Sequence, residues 1–177
     1  MSETVTLTQA ELEKIITAAF VASRTSEANA RSVAAALVQA EVDGQKGHGL
    51  SRVPSYAAQA KSGKVDGFAV PDVRQTRPGS LIVDAKHGFA YPALDAAIAR
   101  LPELARNCGV AAAGITRSHH FGVAGRIVER LAEQGMVALV FGNTPQAMAA
   151  WGGRRPVFGT NPIAFAAPQR GRPPVVV

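Results

Sequence analysis

The feature that most narrows what this chain can fold into is a change of periodicity near Val65. Before it, apolar residues recur at helical spacing. Thr8-Gln9-Ala10-Glu11 has the form of a capping box, and Leu12, Ile15, Ile16, Ala19 and Phe20 follow it on one face. A second helix starts at Ser26, carries Ala30, Val33, Ala34, Leu37 and Val38 toward Val42, and is broken by Asp43-Gly44. A third begins at about Ser51, tolerates Pro54 in its first turn and stops at Gly63.

Beyond Val65, short apolar runs alternate with helical stretches. Residues 73–77 and 81–84, separated by Pro78-Gly79-Ser80, form an expected hairpin. Pro92 opens an alanine-rich helix that runs to about Asn107 and ends at Gly109. A strand over 110–116, a helix over 123–134, a buried strand over 136–141 and strands over 163–167 and 175–177 complete the reading. Residues 143–155 form a long connection with little regular pattern. The expected class is α/β (α+β): a helical region over 1–70, then a mixed sheet with packed helices over 71–177. No Gly-x-Gly-x-x-Gly occurs, so the phosphate-cradling turn of a Rossmann domain is absent. The last residues, Pro174-Val175-Val176-Val177, read as a strand cut off partway, so the sheet is expected to be incomplete at the carboxyl end.

Composition removes several classes of function. A 47% hydrophobic content is that of a globular chain, and its apolar stretches are interrupted well before the roughly 20 residues of a membrane span. Met1-Ser2-Glu3-Thr4 carries an acid and no basic, apolar leader region. One cysteine, Cys108, precludes an internal disulfide framework and suits a reducing cytoplasm. The net charge of +6 comes from basic residues scattered singly, apart from Arg154-Arg155 with Arg170 and Arg172. Aromatics do not alternate with them as a stacking platform requires, so no nucleic-acid partner is expected.

The chemistry is concentrated in loops. His48 lies between Gly47 and Gly49, where one helix ends and another begins. Arg52 and Tyr56 follow at intervals of about one helical turn and can share a face. A guanidinium fork beside an imidazole suits a small anionic 2-oxo or 2-hydroxy acid; the plainer alternative is an arginine in water and a tyrosine in the core. His119 and His120 are adjacent, so in an extended loop only one can face a site while the other packs or meets solvent. Metal binding by His48, His119 and His120 is a competing reading, but no His-x-x-x-His or carboxylate stands at a helpful spacing, and no metal is expected. Trp151-Gly152-Gly153 and Gly159-Thr160-Asn161-Pro162 either line a pocket or are turns shaped by Gly and Pro.

Taken in order, Asp43, Gly47-His48-Gly49, Arg52, Tyr56, Ser118-His119-His120-Phe121-Gly122, Asn143, Trp151-Gly152-Gly153 and Gly159-Thr160-Asn161-Pro162-Ile163-Ala164 resemble the type-2 malate/L-lactate dehydrogenase family. The resemblance runs from about Leu12 to the last residue. It implies NAD or NADP dependence without a Rossmann fold, hydride transfer at the carbon of a 2-hydroxy or 2-oxo acid, and a homodimer. His48 matches the histidine of the family's Ser-His-Gly and His120 that of its His-Phe-Gly; both are implied proton carriers, with His48 favoured for the hydroxyl. Arg52 would clamp the carboxylate, Tyr56 and Ser118 would border the same pocket, and Thr144, Thr160 and Asn161 would lie against the cofactor. Residues 1–70 would then hold part of the substrate site, and 71–177 the first part of a cofactor-binding domain. Gly47 departs from the family's serine, and members are about twice this length, so the expectation is an amino-terminal half. Reduction of a cyclic imine carboxylate, or a silent dimerising remnant, are the alternatives.

Overall fold

The computed structural model describes residues 5–177 and divides into two compact units, the first up to Val123 and the second Ala124–Val177. The leader reading of residues 1–4 lies outside the described residues.

The first unit opens with α1 (Gln9–Val21), whose capping box forms as expected: Glu11 N donates to the Thr8 hydroxyl, and Thr8 N donates to the Glu11 carboxylate at 2.8 Å. Ser26 caps α2 (Glu27–Val42) by accepting from Asn29 N. Two short 3-10 turns, Lys46–His48 and Leu50–Arg52, lead into α3 (Val53–Ser62), which Gly63 ends in the left-handed conformation. Phe20, Val33, Leu37 and Val38 are buried between these helices and form one cluster with Tyr56, Val65, Phe89 and Tyr91.

Strands β1 (Asp72–Arg77) and β2 (Ser80–Asp84) make the expected hairpin, and β3 (Ala112–Thr116) pairs with β2 in parallel. The parallel step is bridged by α4 (Ala90–Cys108), as a crossover requires. Val83 and Ala85 pack against Ala93 and Ala97 of α4, which closes a small second core. Helix α4 starts at Ala90, before Pro92, and Phe89 is its N-cap. The change of composition near Val65 marks where strands begin, whereas the compact unit continues to Val123. The physical reason is that Phe89 and Tyr91, beyond the sequence boundary, are buried in the core of the helical region.

In the second unit, α5 (Ala124–Ala132) packs Val128, Leu131 and Ala132 against an antiparallel sheet ordered β4-β7-β8, with β4 Ala138–Phe141, β7 Ile163–Gln169 and β8 Arg172–Val176. The strand expected to be buried alternates instead. Ala138 faces inward while Leu139 and Phe141 are 58% and 69% exposed, because the helix covers one face of the sheet within this unit. β7 and β8 join at Arg170-Gly171, and their ladder continues to a reciprocal pair between Phe165 and Val177 at 2.8 and 2.9 Å. Pro173 and Pro174 are tolerated because β8 is an edge strand. The connection expected over 143–155 holds β5 (Met148–Ala149), which pairs with β6 (Pro156–Phe158). Strands of two and three residues have no readable alternation. Among the described residues, no helix is long and apolar enough to cross a membrane.

Phe89 ties core to site: its ring meets Phe20 edge-on at 5.7 Å, Tyr56 at 6.2 Å and His119 edge-on at 5.7 Å. Phe89→Ala is expected to lower stability by about 3–5 kcal/mol in urea unfolding followed by circular dichroism. A change below about 1 kcal/mol would mean that the ring is not a keystone of this core.

Candidate active site

The first unit brings together His48, Arg52, Tyr56, His119 and His120 from two loops and one helix. The loop of His48 is clamped to α2. Glu41, near the end of that helix, accepts from Leu50 N at 2.7 Å, and a Cβ on Gly49 would come within 2.3 Å of the same carboxylate oxygen. A side chain at Gly49 would displace the Glu41 carboxylate from this position, while one on Gly47 would meet nothing within 4 Å. The flanking glycines thus differ: Gly49 lies against Glu41, and Gly47 faces open space.

Loop 118–122 follows β3. His119 N donates to Gly88 O at 3.1 Å, and Gly122 adopts φ +72°. A Cβ on Gly122 would lie 2.6 Å from the Tyr91 hydroxyl oxygen, so conformation and space both call for glycine there. The adjacent histidines diverge, as extended backbone requires. His120 stacks on His48 with ring centroids 5.4 Å apart and planes within 8°. His119 packs edge-on against Tyr56 at 4.6 Å, with its Nε2 3.2 Å from Gln59 Oε1.

Tyr56 reconciles the two readings of its position. Its ring is 2% exposed and belongs to the core, and its hydroxyl is hydrogen-bonded to His120 Nδ1. Arg52 donates from Nε to Gly47 O at 2.6 Å, which anchors the guanidinium; no described residue pairs with its terminal nitrogens. Ser118 is exposed and makes no hydrogen bond to the cluster among the described residues. Residue spacing offered no route to Glu41, Gln59, Phe89 or Tyr91, which reach the site through the fold; only the aromatic pair flanking the start of α4 hinted at a buried helix end.

The imidazoles are held neutral. Burial lowers the pKa of His48, and the Arg52 charge adds to it; burial lowers His120, with His48 and Arg52 adding. His119 is pushed down to about 4 by burial first, then by His120 and Lys64. Burial raises the Tyr56 hydroxyl, so it stays a phenol at neutral pH. The Nδ1 atoms of His48 and His119 are buried without a hydrogen-bond partner among the described residues. A neutral imidazole can take a proton from a hydroxyl, and a guanidinium with free terminal nitrogens can take a carboxylate. No group of three or more metal-ligating side chains occurs among the described residues.

The second unit gathers the other three expected residues around one hydroxyl. Thr144 Oγ1 accepts from Thr160 N at 2.7 Å and lies 3.2 Å from Thr160 Oγ1, while Thr144 N donates to Asn161 Oδ1 at 3.0 Å. Thr144 therefore clasps two loops together. Thr160 and Asn161 are exposed, and the carboxamide nitrogen of Asn161 has no protein partner among the described residues. Replacing Thr144 by Val should destabilise this unit by about 1–3 kcal/mol, read from amide exchange at residues 159–161, with Thr144→Ser close to the parent.

A non-Rossmann α/β chain with stacked neutral imidazoles beside an anchored arginine is thereby defined. Comparison gives it a family: the malate/L-lactate dehydrogenase family matches residues 7–177, and the chain belongs to that family. A (2R)-3-sulfolactate dehydrogenase (NADP(+)) of Chromohalobacter salexigens is 52% identical over 168 residues, covering 94% of this chain and 50% of that protein. The crystal structure of a delta1-piperideine-2-carboxylate reductase from Pseudomonas syringae pv. tomato superposes with a TM-score of 0.86 at 42% identity, over 98% of this chain and 52% of its own. Sulfolactate dehydrogenase of Methanocaldococcus jannaschii gives 0.88 at 27% identity, over 97% and 49%. The chain spans about half the length of the relatives it matches.

Below the ordinary histidine value of 6.5, the unfolded chain takes up a proton that folded His119 refuses until about pH 4. Stability should therefore fall as pH drops from about 6.5 to about 4, and the His119 contribution should level off below that. Urea midpoints measured across that window check this, and His119→Gln should flatten the slope. An NMR titration midpoint for His119 near 6.5 would contradict the burial argument.

Proposed function

We propose that the protein containing this chain is an NAD(P)-dependent oxidoreductase that interconverts a small 2-hydroxy acid and its 2-oxo acid. The observation that carries this reading is the stacked pair of neutral imidazoles, His48 and His120, next to a guanidinium anchored by Gly47 O. Arg52 would bind the substrate carboxylate through its terminal nitrogens, which places the adjoining C2 oxygen near the imidazoles. In the oxidative direction His48 takes the hydroxyl proton as the C2–H bond breaks, and in reduction it returns a proton to the oxygen. The nicotinamide, when bound, accepts or donates the hydride at C2.

Thr160 and Asn161 fit a polar cofactor edge, because the clasp with Thr144 leaves the Asn161 carboxamide nitrogen at the surface. Tyr56 and Ser118 would complete the substrate side, Tyr56 through His120 and Ser118 from the exposed start of the loop. The named sulfolactate dehydrogenase relative supports an anionic acid substrate and NADP as a cofactor. A second reading, reduction of a cyclic imine carboxylate, is supported by the 43% identity to the bifunctional Δ1-pyrroline/Δ1-piperideine-2-carboxylate reductase of Pseudomonas syringae. It needs the same carboxylate clamp and a proton delivered to nitrogen instead of oxygen. A homodimer in a reducing cytoplasm belongs to the same proposal and fits the single, exposed Cys108.

Fluorescence titration of the chain with NADH and NADPH, followed by turnover assays over 2-oxo acids and cyclic imine carboxylates, separates the two readings. His48→Ala should lower kcat by about 10²–10⁴-fold, and Arg52→Ala should raise KM by about tenfold or more. Near-parent kinetics in both variants would remove these residues from the site.

A further inference from the structure

Two imidazoles stacked in one site invite the question of which one moves the proton. The hydrogen bond between the Tyr56 hydroxyl and His120 Nδ1 sets the part that His120 can play. In a phenol–imidazole pair the ring nitrogen is much the stronger base, so the phenol donates and Nδ1 accepts. Nδ1 accepting leaves the hydrogen of the neutral ring on Nε2. The bond has little freedom to reverse or break. Tyr56 is 2% exposed with its ring locked among Phe89, His119 and the helical core. Behind it stands Tyr91, 7% exposed, whose hydroxyl oxygen lies against Gly122 of the His120 loop and beside the Tyr56 hydroxyl. His48 differs in having its Nδ1 buried with no hydrogen-bond partner among the described residues.

We propose that Tyr56 is a positioning residue that fixes His120 as its Nε2–H tautomer, making that ring a standing hydrogen-bond donor. On the oxidoreductase reading, which this assignment of roles rests on, His120 polarises and orients the C2 oxygen and His48 carries the proton. Tyr56 then acts through His120, and its place in the pocket is behind the imidazole. No electron or atom is transferred to either tyrosine. Tyr56 keeps its proton throughout and Tyr91 keeps its own, so the pair orients the ring and is not a proton source.

The test needs neither cofactor nor substrate, so it is independent of whether the chain turns over. The full 177-residue chain, labelled with ¹⁵N-histidine, is examined by long-range ¹H–¹⁵N correlation at about pH 8, where unperturbed imidazoles are neutral. His120 is assigned by the signals lost in His120→Gln. The expected result is a single-tautomer pattern for His120, with Nδ1 at the unprotonated position and Nε2 at the protonated one. In Tyr56→Phe both nitrogens should move toward the averaged positions of exchanging tautomers. A protonated Nδ1 in the parent, averaged shifts in the parent, or an unchanged single-tautomer pattern in Tyr56→Phe would each overturn the proposal. If Tyr56→Phe does not fold, the parent spectrum alone still decides, because the tautomer is read there directly.

Discussion

The candidate site depends on one side chain being shared between two environments. Tyr56 places its ring in the helical core and its hydroxyl on His120. Burial of the ring is worth about 1.5–3 kcal/mol and is non-directional, so it fixes where Tyr56 sits. The hydroxyl is paired at that depth with His120 Nδ1, which helps fix where the His120 loop sits. A helix and a loop 64 residues apart in sequence are thereby joined at one atom pair. Phe89 completes the arrangement by touching Phe20, Tyr56 and His119, so core packing and site geometry are the same set of contacts.

Neutrality of the imidazoles is a consequence of that packing. Half-buried rings lose solvation that a charged form needs, and a proton on one disfavours a proton on the next. Arg52 adds a positive charge anchored through Nε, and no described residue pairs with its terminal nitrogens. The arrangement resists spontaneous protonation near pH 7, and an incoming carboxylate would offset the Arg52 charge.

Elements with a local cause were legible. The Thr8–Glu11 box, the Ser26 cap, the Gly63 stop and the hairpin at Pro78-Gly79-Ser80 each rest on residues close together in sequence, and each forms. The divergence of His119 and His120 also followed from extended backbone. Elements with a distant cause were not. β5 and β6 exist only by pairing with each other, and the Arg170-Gly171 turn became a hairpin because β8 found β7. Leu139 and Phe141 read as core by composition, yet lie on the sheet face opposite α5. Glu41 was invisible as a site residue because its carboxylate serves a backbone amide nine positions on.

The residues that could do chemistry were determined by sequence alone: imidazoles, a guanidinium and small polar side chains in turns, in an order that belongs to one family. Side-chain type sets intrinsic acidity and hydrogen-bonding capacity, and those do not wait for folding. Tertiary structure decided which of them meet. It stacked His48 on His120, sent His119 to Gln59 and the core, tied Arg52 to Gly47, and closed Thr144 on Thr160 and Asn161. Those pairings span long stretches of chain, and only the packing of Phe89, Tyr91 and Tyr56 between helices brings the two histidine loops to within contact distance.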